Sequence, residues 1–292
     1  MKYFQILFGI FCLNLNASYE ITVLATNISN YGGFGEWSFS ALYESDKESI
    51  LFDTGFHEDT VLHNAKVLNK DLSKVEKVIL SHFHSDHTGG LIKLRKTYKP
   101  FNKNAFKNVY VTRGFFAQRY TASGDLVGPG NYLDANKFKK DAEGEGITFI
   151  ILDSHAEIAK DLFATGTVLR TDEYYNGPKG LLVRDDKSKN LVEDIIVDDQ
   201  SAGMLTNSGW IMMSGCGHSG IINTAKKLQS IHNVPIYGAI GGFHLFQASD
   251  DVIDKTAIWL KNAGMEKFMG GHCTGIYAAE RVADMIGIKR DD

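Results

Sequence analysis

The clearest chemistry in this sequence lies in the ten-residue segment 81–90, SHFHSDHTGG. It holds three histidines and one aspartate: His82, His84, Asp86 and His87. The apolar run before it predicts a buried strand, and side chains two apart on an extended backbone project to the same side. His82 and His84 are therefore expected to face one ion, and the glycine turn beyond them to direct Asp86 and His87 toward a second. Imidazole and carboxylate ligands suit zinc, with iron and manganese as alternatives.

Three later histidines share this setting, each just after an apolar strand and beside a glycine turn: His218, His244 and His272. Strand ends on one edge of a sheet are where binding sites are usually built. The same turns carry Cys216 and Cys273, so a role near a metal is more economical than a disulfide, although the disulfide stays open. Asp53 ends another strand. It is expected to accept the second N–H of a liganding histidine and fix its tautomer, the alternative being a turn-former alone.

Strands and helices must hold these residues in place, and the sequence predicts them in two similar halves. Strands are predicted at 21–25, 39–43, 49–52, 77–80, 147–152, 167–169, 180–183, 194–197, 210–213, 236–240 and 267–269. Helices are predicted at 60–69, 221–231, 252–262 and 277–286 from their apolar periodicity. The long segment 91–141 is expected to form helices and loops over the site. The layout predicts an αββα sandwich of two mixed β-sheets with outer helices.

Composition restricts the class of partner. The 292 residues carry a net charge of −4 and no dense Lys/Arg run, which argues against general affinity for nucleic acid or an anionic membrane. The N-terminus has a weakly positive start, an apolar stretch over 4–13 and small residues at 15–17. That pattern predicts a signal peptide at 1–17, a single domain at 18–292 and a secreted or periplasmic protein.

The order of these motifs resembles the metallo-β-lactamase fold superfamily. Three further stretches resemble its dihydropterin–ribofuranosylaminobenzene phosphate synthase branch: Asp198–Gln200, Ser214–Ile221, and the pair Gly241–Leu245 with Gly271–Gly275. The resemblance implies that His82 and His84 bind one metal, that Asp86, His87 and His272 bind the other, and that His218 completes the first. It also implies a ligand role for Cys216.

The predicted metal ions indicate which reaction the site could catalyse. A divalent ion bound by imidazoles and a carboxylate makes hydroxide available near neutral pH, and this predicts a binuclear hydrolase of a small ester, lactone, amide or phosphodiester. Asp86 is expected to orient or deprotonate the nucleophile and His244 to stabilise the leaving group. The alternative is a C–N bond-forming transferase of the pterin type, and a non-catalytic metal-binding protein is a third interpretation. Arg113, Arg119 and Arg184 are candidates for binding an anionic substrate group, and self-association stays open.

Overall fold

The computed structural model describes residues 19–128, 134–172, 180–185 and 187–288, so the predicted signal peptide lies outside the described residues. The strands are β1 (Tyr19–Ala25), β2 (Ser40–Ser45), β3 (Ser49–Phe52), β4 (Val75–Ile79), β5 (Asn108–Thr112), β6 (Arg119–Tyr120), β7 (Leu126–Val127), β8 (Thr148–Leu152), β9 (Ala156–Ala159), β10 (Leu162–Ala164), β11 (Leu182–Arg184), β12 (Leu191–Glu193), β13 (Ser201–Thr206), β14 (Gly209–Ser214), β15 (Ile236–Gly241) and β16 (Lys267–Gly270). The helices are α1 (Thr60–Val67), α2 (Ser85–Thr88), α3 (Leu91–Tyr98), α4 (Ala135–Gly144), α5 (Ile221–Ile231), α6 (Asp250–Asn262) and α7 (Ile276–Ile286), with 3₁₀ turns at Leu72–Lys74 and His272–Thr274.

Two six-stranded mixed sheets form the centre of the molecule. Their strand orders are β1-β2-β3-β4-β5-β8 and β16-β15-β14-β13-β10-β9. Side chains alternate across each strand, so Ile50 and Phe52 of β3 enter the core between the sheets, whereas Leu51 faces the outer helices. Met213 of β14 meets the first sheet's residues in that inner core. The two sheets thus pack face to face.

Helices cover both outer faces. Helices α1, α3 and α4 pack on the first sheet through residues such as Val61, Leu94 and Phe138. Helices α5, α6 and α7 cover the second through residues such as Leu228 and Leu260. The predicted αββα sandwich is confirmed. Among the described residues, no helix has both the length and the apolar character needed to cross a membrane.

Two short strand predictions are wrong. Segment 167–169 is irregular because Gly166, at φ 61°, turns the chain after β10. Segment 194–197 is a loop in which Ile196 has φ 52° and its N–H donates to the Asp194 carboxylate. The strand on that side is β12 instead, which joins a four-stranded sheet of order β12-β11-β6-β7. A local bond from a side chain to the backbone replaces the sheet ladder there.

Segment 91–141 also differs from its prediction of helices and loops. It contains α3 and part of α4, but also β5, which pairs in parallel with both β4 and β8 in the first sheet. Segment 120–130 includes the β6–β7 hairpin, and residues 129–130 lie outside the described part of the chain.

Candidate metal centre

The seven side chains predicted as metal ligands lie together at one edge of the sandwich, in two groups of potential ligands. The first group is His82, His84 and His218, and the second is Asp86, His87, Cys216 and His272. Within each group, one ligand atom per residue lies within 4.8 Å of the others. The edge is formed by the carboxyl ends of β4, β14 and β16, which lie in parallel arrays with β3 and β15. Parallel strands bring their carboxyl ends to a common edge, which is why motifs distant in sequence meet here.

The first group consists of three imidazoles with their nitrogens turned inward. His82 Nε2 lies 2.9 Å from His84 Nδ1, and the His218 ring stands 4.7 Å from the His82 ring and 5.2 Å from the His84 ring. Burial lowers the pKa of His84 to about 3. Burial, followed by the neighbouring His84 ring, also holds the pKa of His82 and of His218 well below the usual range. All three rings therefore offer neutral lone pairs, which is what a divalent ion requires.

The second group combines a carboxylate, a thiol and two imidazoles. Cys216 Sγ lies 3.1 Å from His87 Nε2 and 3.2 Å from His272 Nε2. Asp86 Oδ2 lies 3.2 Å from His272 Nε2 and 3.5 Å from His87 Nε2. The rings of His82 and His87 are 4.4 Å apart, so the two groups adjoin.

The electrostatics of the second group favour a cation. Burial lowers the pKa of His87, yet Asp86 and Asp53 together raise it well above the usual value. Burial also opposes protonation of His272, but Cys273 and Asp86 raise its pKa to about 9. A metal ion at these Nε2 atoms would take the place of the protons that the surrounding negative charge attracts. Burial raises the pKa of the Cys216 thiol, so the thiolate would require that ion. The donor set therefore fits a divalent metal.

Asp53 determines which histidine nitrogens face the ions. Its Oδ2 accepts hydrogen bonds from His87 Nδ1 and Ser81 Oγ, both at 2.7 Å, and its Oδ1 accepts from the Ser81 N–H at 2.7 Å. Since Ser81 Oγ donates to Asp53, it accepts from His82 Nδ1 at 2.9 Å. The Nε2 lone pairs of His82 and His87 are left for the metals. The sequence pattern does not single out Ser81, although this residue begins the histidine segment.

The approach around Asp53 is close enough to require glycine at position 215. A Cβ there would lie 2.3 Å from Ser81 Oγ and 2.4 Å from Asp53 Oδ2. Asp53, His244 and His272 also have positive φ angles, of 54°, 48° and 47°. Backbone strain of this kind persists where the surrounding contacts hold it, and functional sites are its usual location.

The Asp198–Gln200 stretch supports the histidine segment from behind. Asp198 Oδ2 accepts from the Phe83 N–H at 2.8 Å, and the Gln200 side-chain amide donates to the Leu80 carbonyl at 2.9 Å. Asp199 Oδ2 accepts from the Ser219 N–H at 2.8 Å, and its Oδ1 lies 3.9 Å from His82 Nδ1. This motif thus joins the turn after β4 to the turn after β14.

The arginine candidates for substrate binding are engaged elsewhere. Arg119 is buried, with Nε 2.7 Å from Asp194 Oδ2 and an Nη 2.5 Å from Asp198 Oδ1. Arg113 pairs with Asp153 in solvent, and Arg184 donates to the Lys189 carbonyl. Arg119 supports the fold by holding Asp198.

His244 lies beside His218, a member of the first group of potential ligands. Its ring is 4.7 Å from the His218 ring and 5.2 Å from Phe246. Burial lowers its pKa, which favours a neutral ring that can donate one N–H. Trp37 lies on the other side of Phe246, 5.4 Å away, and 5.2 Å from the His272 ring. The sequence does not predict Trp37 or Phe246 as site residues, because neither belongs to a motif of potential metal ligands or catalytic groups.

Comparison with known proteins identifies the family. Residues 38–100 match the family model of the metallo-beta-lactamase superfamily. Over 273 residues the chain is 31% identical to the 7,8-dihydropterin-6-methyl-4-(beta-D-ribofuranosyl)-aminobenzene-5'-phosphate synthase of Methanocaldococcus jannaschii, a match that covers 89% of this chain and 88% of the relative. This protein belongs to the metallo-β-lactamase superfamily. Within the superfamily, it belongs to the branch of that synthase.

Two further relatives cover nearly the whole chain. An uncharacterised protein of the same archaeon is 30% identical over 268 residues, 91% of this chain and 94% of the relative. The crystal structure of Tm1679, described as a metal-dependent hydrolase of the β-lactamase superfamily, matches with a TM-score of 0.74 and 27% identity. That match covers 92% of this chain and 93% of the other. The likeness extends far beyond the histidine segment.

The prediction of a hydrolase is wrong. At 31% identity over nearly all of both chains, the curated relative with a named reaction is a synthase, which favours the pterin-type alternative. The comparisons give no support to the predicted signal peptide or to a secreted or periplasmic location, and where the protein is located stays a prediction. The similarity to the synthase supports the prediction that this protein is an enzyme.

Proposed function

We propose that this protein is a metal-dependent transferase that forms a C–N bond between the methylene carbon of a pterin and an aromatic amine. The observation that carries the proposal is the 31% identity to the synthase over 89% of this chain and 88% of that one. The donor set described above supports two divalent ions, with zinc as the first choice and iron or manganese as alternatives. The proposed ligands are the seven residues of the two groups, with Asp53 orienting His87.

In the proposed reaction the pterin carries a phosphorylated hydroxymethyl group, and the phosphorylated oxygen of that group is the leaving group. The amine nitrogen attacks the methylene carbon and the new C–N bond forms. The C–O bond breaks, its electron pair leaves with the phosphorylated oxygen, and the amine loses one proton. When bound, divalent ions supply a Lewis acid that neutralises the charge of the leaving group.

The chain's own residues handle the proton and the orientation. Asp86 is partly buried, with 17% of its side chain exposed, and Oδ2 is the oxygen that faces His87 and His272. We assign its other oxygen, Oδ1, the proton of the attacking amine. His244 is positioned beside His218 to donate its N–H to the departing oxygen.

The test is a coupling assay with full-length protein loaded with zinc, manganese or iron. The substrates are phosphorylated 6-hydroxymethyl-dihydropterin and a ribofuranosylaminobenzene phosphate, and mass spectrometry detects the coupled product. We expect product only when both substrates are present. We also expect loss of product in His84→Ala and full activity in His155→Ala, a change at an exposed histidine outside the site. Release of the leaving group at the same rate without the amine would contradict the proposal.

A further inference from the structure

Two aromatic side chains remain half-exposed beside the buried metal centre. Trp37 is 50% exposed and Phe246 41%, whereas His218 and His272 are almost fully buried. The two exposed rings meet edge to face, at 5.4 Å and 75°. Through His244 on one side and His272 on the other, they form a continuous arc of rings between the two ligand groups. The mouth of the site is therefore lined on this side by aromatic faces.

The loop that carries Trp37 is held in place by its neighbour Glu36. The Glu36 carboxylate accepts from the N–H groups of Phe56 and His57, at 2.8 and 3.1 Å, and from the hydroxyls of Ser38 and Thr60, at 2.6 and 2.8 Å. Four hydrogen bonds to one carboxylate fix the loop against the turn after β3. Trp37 is thus held in position before a ligand arrives, which lowers the entropy cost of binding.

Phe246 is held from the opposite side. Its N–H donates to the Cys273 carbonyl at 3.2 Å, within the turn that carries His272. A Cβ at Gly275 would approach within 2.8 Å of Phe246 Cβ, so the turn packs closely on this residue. Phe246 is therefore anchored to the turn that carries the proposed ligand His272, and the Trp37 loop is anchored to the turn after β3.

We propose that Trp37 and Phe246 form an aromatic clamp for the flat, two-ring system of a pterin, which stacks on the face of one ring and contacts the other at its edge. This inference rests on the proposed function for the identity of the ring. His244, assigned to the departing oxygen, contacts Phe246, and the pterin ring is one methylene group from that oxygen. This places the ring system within reach of Phe246, and Trp37 is in contact with Phe246. Planar heterocycles stack on indole and phenyl rings. The stacking contribution to binding is lost when the aromatic side chain is replaced by a small one.

The experiment is calorimetric titration of the zinc-loaded protein with 6-methylpterin, which has no leaving group and cannot react. We compare wild type with Trp37→Ala, Trp37→Phe and Tyr31→Ala. Tyr31 lies on the same loop, is 98% exposed and makes no ring contact within the described residues, so it is the matched control. We expect Trp37→Ala to weaken binding about tenfold, Trp37→Phe to weaken it less, and Tyr31→Ala to leave it unchanged.

Each outcome decides a separate point. Equal affinity in wild type and Trp37→Ala overturns the clamp and leaves the proposed reaction intact. Absence of 6-methylpterin binding in wild type also overturns the clamp, and the coupling assay then judges the reaction independently. Since Trp37 contacts His272, zinc content is measured in every variant. If Trp37→Ala loses zinc, Phe246→Ala takes its place, with the same tenfold weakening expected and unchanged affinity overturning the clamp.

Discussion

Two of the proposed ligands, His82 and His87, each depend on a neighbour that fixes the orientation of the lone pair. The Asp53 carboxylate accepts hydrogen bonds from both His87 and Ser81. The Ser81 hydroxyl in turn accepts from His82 and so fixes the orientation of that ring. One residue thus sets the tautomer of a histidine in each group. This explains why Asp53 is fully buried at a strained backbone position, and why a side chain at position 215 would disturb both groups together.

At this scale we predict that His84→Ala and His272→Ala each lower the metal content by about one ion per chain. His84 belongs to the three-imidazole group and His272 to the group with Asp86, so each change removes a ligand from a different site. Elemental analysis of protein purified without chelator measures the effect. His155→Ala is the control, because that residue is exposed. Retention of both ions in either ligand variant would refute the ligand assignment.

At the scale of the elements, the turn after β4 is supported by a loop that follows β12. Arg119 holds Asp198 in place, and Asp198 in turn accepts from the backbone of Phe83, between His82 and His84 of the first group. The Arg119 guanidinium also lies 5.8 Å from the centre of the Phe83 ring. A buried ion pair is therefore part of the support of the metal ligands.

We predict that Arg119→Met destabilises the protein by about 3–5 kcal/mol, since it leaves the Asp194 and Asp198 carboxylates buried without their cation. Denaturant unfolding of the metal-loaded protein measures the change. Arg113→Ala, which breaks a solvent-exposed pair with Asp153, should cost less than about 1 kcal/mol. Similar losses in the two variants would show that the buried pair carries no special weight.

At the scale of the whole molecule, both ligand groups span the two sheets. His82, His84, Asp86 and His87 follow β4 of the first sheet, whereas Cys216, His218 and His272 follow strands of the second. Each group takes ligands from both sides. The sites therefore exist only when the sandwich is assembled, so metal binding would help to hold the sheets together.

We therefore predict that removal of the metals lowers the midpoint of thermal unfolding and that zinc restores it. A ligand that binds only the folded state stabilises it by about 2.7 kcal/mol at a concentration one hundred times its Kd. Calorimetry after chelator treatment, with and without added zinc, measures the shift. The His84→Ala, His272→Ala double variant is the control and should respond to neither treatment. An unchanged midpoint in wild type would contradict the coupling between the two sheets.

Much of this arrangement was predictable because it is encoded locally. The short apolar run Ile50–Phe52 predicts β3 over 49–52, and a 3.6-residue apolar period predicts α5 over 221–231, both with the observed bounds. The motifs predict the superfamily because residue types and short spacings carry them. The strands at 167–169 and 194–197 fail because short apolar runs carry little information where a turn or a side-chain bond competes.

By itself, the sequence determined the fold class, the family and the identity of the residues that converge at the strand ends, since these depend on composition and local spacing. Only the tertiary structure decided how those residues combine. His87 and Cys216 meet across 129 positions of sequence, and the grouping of His218 with His82 and His84 follows from how the two sheets pack. The burial of Arg119, the hydrogen bonds of Ser81 and the exposure of Trp37 have the same origin. They depend on neighbours brought together by folding, and no local pattern records those contacts.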